Sequence, residues 1–304
     1  MVAVHVLDES PLSDGRASAL FAVLAGVSLV LLRRRTTIAG LAVRAVLIGL
    51  LGLCLGELET GIAIILTYYA VLFLLGLPFL ALPTRVLYPL AAAWVVAGPV
   101  ATHWLFDRVP ERQYASPASD QLAQPARLAG ELLVTGYYPA VTWLAYLLLG
   151  LAIGRSDLRS PWVQAALVYV GAPIALAAYV AGRAVEERTA AWWVGVEPHS
   201  GTPFDVAHTA GCAAAVIGVC LLAVGLVPQR PLAVLFGAGT MTLSLYSLHV
   251  VMRTGRVWPP EQPSTYGWHV LVLVLIGAAF VLARRRGPLE SLLAVAARSL
   301  GSRP

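Results

Sequence analysis

The run Ala17-Ser-Ala-Leu-Phe-Ala-Val-Leu-Ala-Gly-Val-Ser-Leu-Val-Leu-Leu32 leads directly into three arginines, Arg33, Arg34 and Arg35. A helix needs about 20 predominantly apolar residues to cross a bilayer, and short cationic loops stay on the cytoplasmic side. We therefore predict a membrane helix whose arginine end faces the cytoplasm. Every later segment inherits its direction from this one, which places the N-terminus outside and the C-terminus in the cytoplasm.

The composition of the whole chain agrees with a multi-pass membrane protein. Hydrophobic residues make up 59% of the 304 residues and charged residues only 12%, and the mean hydropathy is +0.77. A soluble domain is nearer half apolar and a quarter charged. The net charge of +5 comes from arginines clustered in loops, so it indicates topology and not nucleic-acid binding. The absence of lysine suggests a GC-rich bacterial genome and excludes a lysine nucleophile.

Nine segments are candidate membrane helices, and they predict an all-α, polytopic helix bundle. It forms one domain over residues 1–304, with a truncated further helix at its start. The approximate ranges are 16–33, 38–57, 60–82, 86–106, 137–154, 162–183, 206–227, 232–252 and 267–283. Arginines outnumber acids in the inner loops and acids predominate outside, as the positive-inside rule favours. The outer loops at about 107–136 and 184–205 are long, so we expect function near the outer face of a bacterial plasma membrane.

All six histidines fall in the outer half on this topology. They are His5, His103, His199, His208, His249 and His269. Imidazole is the side chain that most often exchanges protons near neutral pH. Two interpretations stay open: either these histidines share an outer site, or polar residues collect at the membrane interface.

Two carboxylates stand at helical spacing from a histidine. His103 and Asp107 are four residues apart, and Asp205 and His208 are three apart at a predicted helix start. In each pair the carboxylate would orient the imidazole and stabilise its charged form, as a general base requires. Asp205 is equally explained as the N-cap of the helix that follows.

Polar groups inside two predicted membrane helices mark candidate functional positions. Thr242, Tyr246, His249 and Arg253 form one helical stripe. The stripe would face either a water-filled cavity or a neighbouring helix. Arg44 lies about two turns from the cytoplasmic start of its helix. Its guanidinium would either bind a phosphate or extend back to the headgroups.

Small residues predict close contacts between helices. Gly49, Gly52 and Gly56 share one helix face, and Gly237 and Gly239 are interpreted in the same way. The three cysteines are expected at small apolar core positions, because no pair has thiolate-site spacing. The histidines also lack tight ligand spacing, so we expect no metal.

Several stretches resemble motifs of the YeiB-type membrane proteins and their relatives, the heparan-α-glucosaminide N-acetyltransferase-like proteins. Asp14-Gly-Arg-Ala-Ser-Ala-Leu-Phe-Ala-Val-Leu-Ala-Gly-Val-Ser28 resembles their second-helix motif, and Met1-Val-Ala-Val-His5 is similar to the end of their first-helix motif. Gly136-Tyr-Tyr-Pro-Ala-Val-Thr-Trp-Leu-Ala-Tyr-Leu-Leu-Leu-Gly-Leu-Ala-Ile-Gly-Arg155 resembles the middle signature. Thr240 to His249 and Arg286-Gly-Pro-Leu-Glu290 are similar to the C-terminal region. The resemblance covers essentially the whole chain.

The resemblance implies a membrane acyltransferase. The family takes an acyl group from cytoplasmic acyl-CoA, such as acetyl-CoA, and passes it to an acceptor across the membrane, here a sugar or lipid-linked glycan. His5 and Asp14 fall at motif positions near the reaction centre, so we hypothesise that His5 is the base and that Asp14 orients it. His249 is a second catalytic candidate. The other candidate contacts are Arg44 for the CoA phosphates and, for the substrate, Arg16, His103, His208, Tyr246 and Arg253.

Two departures from the family pattern bear on these hypotheses. The family opens with a full helix carrying an Arg-Gly pair before its Met-Val-x-x-His motif, whereas the printed sequence starts at Met1. We therefore expect either a true start upstream or a degenerate protein. The animal enzymes have a catalytic histidine between the first two helices, where this chain offers only Leu7 to Ser13, so the position of the base does not transfer.

Two other functions remain as alternatives. A transporter of a lipid or small polar metabolite would use the same polar stripe as its path, and Pro99 and Pro173 would break its helices. The sequence shows no internal repeat, which counts against a transporter. The second alternative is a non-catalytic membrane partner protein. The expected partners are membrane lipids and the acceptor, with no nucleic acid, and a homodimer is allowed.

Overall fold

The computed structural model describes residues 15–58, 60–112, 116–254, 257 and 265–298, and every regular element in this part of the chain is helical. The predicted all-α fold is therefore confirmed. The α-helices are α1 (Arg16–Arg33), α2 (Ile38–Gly56), α3 (Leu66–Gly76), α4 (Thr84–Phe106), α5 (Pro125–Gly130), α6 (Ala140–Arg155), α7 (Pro161–Glu186), α8 (Pro203–Val224), α9 (Gln229–Leu235), α10 (Thr242–Met252), α11 (Tyr266–Leu282) and α12 (Pro288–Arg298). The shorter elements are 3₁₀ turns at Leu77–Ala81, Ser119–Ala123 and Gly237–Thr240 and a π turn at Glu131–Thr135.

Several of these helices have the length and apolar character of membrane spans. Five meet both criteria within the described residues, namely α1, α2, α4, α7 and α8. A sixth span results if the segment Pro125–Thr135 is joined to α6, although the two parts are bent by 58°. Large apolar side chains such as Tyr169 and Leu176 are exposed on α7, where lipid would cover them.

The prediction of about nine spans is not confirmed, because three predicted spans form shorter or interrupted helices. The segment 60–82 changes from α3 to a 3₁₀ turn at Leu77, next to Pro78. The segment 232–252 is interrupted by the 3₁₀ turn Gly237–Thr240, and α11 has only 17 residues. Hydropathy does not register these breaks, since proline removes a backbone donor and glycine weakens a helix without lowering its apolar character.

The long helices alternate in direction, so the bundle has two ends. At one end, Arg33 of α1, Arg34 and Arg155 of α6 line a common pocket, and we call this the arginine end. At the opposite end, His103 of α4 and His199 line a common cavity, and we call this the histidine end.

Helix α6 is the centre of the bundle. Thirteen of its sixteen residues are buried, so protein and not lipid surrounds it on all sides. It packs closely against α1, because a Cβ atom added to Gly150 would contact the carbonyl of Val23 and would lie 2.9 Å from the Cα of Gly26. Helices approach this closely only where side chains are absent.

The predicted close contacts between helices are confirmed at Gly49, Gly52 and Gly237, whereas Gly56 packs against a loop and Gly239 makes no such contact. Added Cβ atoms at Gly49 and Gly52 would meet α3, and one at Gly56 would meet the backbone of Pro117. Gly237 packs against the Gly277 carbonyl of α11, 2.7 Å from the position of an added Cβ. Gly239 has open space around it, because the 3₁₀ turn directs it away from the neighbouring helix.

We expect Gly150→Val to lower the melting temperature of the purified protein in detergent. The added side chain would push α1 away from α6, and overpacking of this kind costs typically about 1–3 kcal/mol. Gly239→Ala is the matched control, since nothing lies near that position. Intrinsic tryptophan fluorescence on heating measures both variants, and equal melting temperatures would contradict the assigned α1–α6 contact.

Candidate functional site

A cavity of about 270 Å³ opens at the histidine end, and we call it the His103 cavity. It lies between the end of α4, the start of α6, the start of α8 and the segment 192–202. Its lining combines imidazoles, hydroxyls, one carboxylate and aromatic rings. The polar and aromatic members are Thr102, His103, Phe106, Thr135, Tyr137, Thr142, Trp143, Tyr146, Trp192, His199, Ser200, Thr202, Asp205 and Thr209.

One wall of the cavity exists because the chain breaks between the π turn and α6. Gly136 has an extended ψ of −176°, and a Cβ there would collide with the Tyr68 hydroxyl. Pro139 is the N-cap of α6, which begins at Ala140, and its ring disfavours helical geometry in the residue before it. The break directs Thr142, Trp143 and Tyr146 of the first turns of α6 into the cavity.

A fully buried acid lies behind this wall. Glu131 is 0% exposed and sits in the π turn, a distortion that often marks functional positions. Its Oε2 accepts from Gln121 Nε2 at 3.0 Å, and its Oε1 accepts from the Tyr68 hydroxyl at 3.4 Å. That hydroxyl in turn accepts from the amide of Tyr137 at 3.3 Å, and Tyr137 lines the cavity. The sequence did not predict this network, because Tyr68 is 63 residues away from Glu131 along the chain.

The start of α8 forms the opposite wall, and its cap differs from the prediction. Thr202 is the N-cap, with its hydroxyl accepting from the amide of Asp205 at 3.1 Å. The Asp205 carboxylate reaches back to accept from the amide of Gly201 at 3.0 Å. This reciprocal arrangement resembles a capping box. Asp205 is 4% exposed and lines the cavity.

The predicted pairing of Asp205 with His208 is replaced by a different one. Arg16 Nε donates to His208 Nε2 at 3.1 Å, and His208 Nδ1 is 2.9 Å from the carbonyl oxygen of Ala175. An imidazole that accepts at Nε2 donates from Nδ1, so these contacts describe the neutral tautomer. Both ring nitrogens are therefore directed away from Asp205. Arg16 interacts electrostatically with Asp205 and thereby links the two groups.

Two histidines lie in the cavity itself. The His103 ring stacks on the Trp192 ring, with centroids 4.0 Å apart, and Asp107 is the C-cap residue just after α4. His199 lies in the segment before α8 with a φ of 63°, in the left-handed region. Its ring lies parallel to that of Trp143 and edge-on to that of Tyr138. A left-handed non-glycine residue needs surrounding contacts to hold it, so the loop presents His199 in a fixed orientation.

The stripe on α10 lies away from this cavity. The Tyr246 hydroxyl accepts from the amide of Ile65 at 3.3 Å, and His249 Nδ1 is 3.2 Å from Nδ1 of His269 on α11. Arg253 interacts electrostatically with His269. Tyr246 and His249 thus contact neighbouring elements of the bundle. This agrees with the interpretation that the stripe faces a neighbouring helix and not a water-filled cavity.

Arg44 faces a carboxylate at the arginine end. It interacts electrostatically with Glu290 of α12. The Glu290 Oε1 accepts from the amides of Leu243 and Ser244 at 2.8 and 3.1 Å, which caps the start of α10. The motif pieces 240–249 and 286–290, distant in sequence, therefore meet here. His5 and Asp14 lie outside the described residues.

No family model, curated protein or solved structure matches this chain. The likeness to the YeiB-type family therefore rests on the motifs quoted above. In the part of the chain that the structure describes, no three His, Cys, Asp or Glu side chains are arranged to hold a metal ion.

A pH-dependent contact with Glu57 holds the turn that starts at Ser119. Glu57 accepts from the amide and hydroxyl of Ser119 at 2.7 and 2.5 Å, and these bonds hold the pKa of that carboxyl below its usual value. A lowered folded-state pKa means that the contact contributes fully above the unfolded pKa of about 4.3 and is lost as the pH falls through the folded value.

We expect Glu57→Gln to increase hydrogen exchange at the Ser119 amide at pH 7, because the amide loses a charged acceptor. As the pH falls through the lowered folded-state pKa of Glu57, exchange in the wild type should approach that in the variant, since the wild-type carboxylate becomes protonated. Exchange followed by mass spectrometry on residues 116–123 measures this, with both proteins compared at each pH. Equal exchange at pH 7 would show that Glu57 does not hold the loop.

Proposed function

We propose that this chain is a membrane acyltransferase of the bacterial plasma membrane. It transfers an acyl group, acetyl in the simplest case, from acyl-CoA on the arginine side to a sugar or lipid-linked glycan bound in the His103 cavity. The observation that carries the proposal is the lining of this cavity, which joins proton-transfer groups to aromatic faces at one end of an apolar bundle.

The cavity suits a small polar acceptor. Its volume of about 270 Å³ is near the lower limit of ordinary ligand pockets, about 300 Å³, so one sugar ring is a better match than a large ligand. Trp143, Trp192 and Tyr137 offer flat apolar surfaces, while Thr142 and Asp205 offer hydrogen-bonding groups. Ligand sites commonly combine apolar walls with a few placed polar groups.

The chemistry requires one proton acceptor. The acceptor hydroxyl or amine attacks the thioester carbonyl, the carbon–sulfur bond breaks, and the proton passes through a base to the departing thiolate. His5 is the base that the family motif suggests, with Asp14 orienting it. Among the described cavity residues, His199 and His103 are the groups whose imidazoles suit this role near neutral pH.

The remaining candidates take supporting roles in the proposal. The Arg16–His208 pair places a cation close behind Asp205, where it would stabilise negative charge in the cavity wall. Arg44 would contact the CoA phosphates at the arginine end, in competition with Glu290. His249, Tyr246 and Arg253 would act through the packing of α10 on its neighbours and not by touching the acceptor.

We expect His199→Asn to lower acyl transfer by about 10²–10⁴-fold if His199 is the base. Asparagine tolerates the left-handed backbone at this position, so the variant removes the imidazole with little change in the loop. The assay uses proteoliposomes with labelled acetyl-CoA added at the arginine side and candidate sugars on the other. His5→Ala and His103→Gln are measured in parallel, and Arg85→Gln, exposed at the arginine end, is the matched control.

The pattern of losses identifies the base and tests the proposal as a whole. A large loss in one histidine variant, with normal melting temperature, supports acyl transfer and names its proton acceptor. Full activity in all three variants would show that none of these three histidines is the base. Absence of labelled product with folded wild-type protein, across amino and hydroxyl sugars, would contradict the acyltransferase proposal.

One observation favours the transporter alternative. The bend of 58° between Pro125–Thr135 and α6 lies at the cavity, and broken helices line the binding sites of many transporters. The same proteoliposomes distinguish the two functions. Transport of a labelled sugar without acetyl-CoA, and without chemical change, would replace the acyltransferase proposal.

A further inference from the structure

A second cavity, of about 340 Å³, lies at the arginine end, and we call it the arginine pocket. It is lined by Val30, Arg33, Arg34, Leu80, Thr84 and Arg155. Among the residues that the structure describes, this lining contains three cations and no acid. Arg155 Nη1 donates to the carbonyl of Leu80 at 3.1 Å, and Arg33 Nη1 donates to that of Thr36 at 3.2 Å. These backbone bonds direct the guanidinium groups, and such groups match the geometry of phosphate oxygens.

The nearby acid does not neutralise the pocket. Asp157 follows Arg155 by two residues, but its Oδ1 accepts from the amide of Arg159 at 3.1 Å within its own turn. It is absent from the pocket lining. The pocket therefore presents concentrated positive charge at the end of the bundle where α1 and α6 end and α4 begins.

An apolar groove of about 610 Å³ runs between α4, α6, α7 and α8. Small residues, for example Ala91, Ala145 and Ala210, give it depth. Its only hydroxyl groups among the described lining residues are those of Tyr88 and Ser156, whose oxygens are 3.1 Å apart and bonded to each other. Val170 and Ile174 at its edge are 57% and 47% exposed, so the groove opens on the apolar outer surface of α7.

The groove and the arginine pocket are adjacent. Thr84 of the pocket and Tyr88 of the groove are one helical turn apart on α4, a rise of about 6 Å. Arg155 of the pocket and Ser156 of the groove are consecutive. A molecule with a phosphate at one end and a hydrocarbon chain at the other would satisfy both parts at once.

We propose that the arginine pocket and the groove together bind one anionic phospholipid of the surrounding bilayer. Its phosphate lies against Arg34 and Arg155, beside Arg33, and one acyl chain fills the groove. Charge complementarity selects the headgroup, since arginines at a membrane surface attract anionic lipid. The groove selects a long chain, because the two-carbon acetyl group of acetyl-CoA would leave it empty. The proposal rests on the membrane assignment and is independent of acyl transfer.

The test is native mass spectrometry of the full chain in detergent, titrated with phosphatidylglycerol or phosphatidylcholine. We expect phosphatidylglycerol to bind in preference to phosphatidylcholine with one tight site. Arg34→Gln with Arg155→Gln should weaken that site by about tenfold or more. Ala166→Trp, at an exposed groove position, should weaken it as well by filling the groove. Arg85→Gln at the same end and Leu275→Trp on α11 are the matched controls.

Three results would overturn the proposal. The first is equal affinity in the arginine pair and in the Arg85→Gln control, with all melting temperatures unchanged. The second is equal affinity for phosphatidylglycerol and phosphatidylcholine, which would show that the site does not select an anionic headgroup. The third is displacement of phosphatidylglycerol by acetyl-CoA at similar concentration, which would assign the pocket to the acyl donor. We expect His199→Asn to lose acyl transfer and to bind phosphatidylglycerol as the wild type does, because His199 lines neither the arginine pocket nor the groove. Failure of one proposal is therefore distinguishable from failure of the other.

Discussion

The enclosure of α6 on all sides is the constraint from which the rest of the structure follows. A helix surrounded by protein must meet α1, α4, α3 and α8 at once, and the contact between Gly150 and Gly26 lets the first of these come close enough. Helices in a bilayer gain no hydrophobic free energy by packing together, because lipid tails are equally apolar. The packing of α6 therefore depends on how closely the helix surfaces fit. The small residues of α1 and α6 allow that fit.

The break before α6 gives the bundle its polar cavity. Gly136 and Pro139 stop the helical hydrogen-bond pattern at the histidine end, so α6 starts inside the protein and not at its surface. The side chains of its first turns then face the start of α8. The Tyr68 hydroxyl accepts from the Tyr137 amide and donates to Glu131, and Gln121 donates to the same carboxylate. These bonds satisfy polar groups beside the break and allow a polar site within an apolar bundle.

The two ends of the molecule differ in chemistry in a way that suits a membrane protein acting on both surfaces. The arginine end holds cations beside an apolar groove, which fits phosphate attached to hydrocarbon. The histidine end holds imidazoles, hydroxyls and aromatic rings, which fit a small polar acceptor. Lipid binding in the arginine pocket and acceptor binding in the His103 cavity are separate proposals, and both sites are built on α4 and α6.

The sequence alone predicted much of the fold and a part of the site. The apolar run before Arg33 and the glycines of α2 predicted helices and a close contact that the structure confirms. The predicted count of about nine spans is not confirmed, because Pro78 and the Gly237–Thr240 turn interrupt helices without changing hydropathy. For the site, the structure places the candidates His103 and Asp205 in the lining of one cavity, but Asp205 lies in the first turn of α8 behind the Thr202 cap, and His208 contacts Arg16 and Ala175.

What the sequence determined by itself is the helical, apolar character of the chain and the clustering of arginines, since both depend on composition and local periodicity. What only the tertiary structure decided is which polar groups meet. Periodicity places Tyr246 and His249 on one face of α10, but the packing of α11 determines that this face meets His269. In the same way, the partners of Glu131 and of Arg16 come from segments far along the chain. Such contacts depend on where helices break and cross, and local sequence does not encode that.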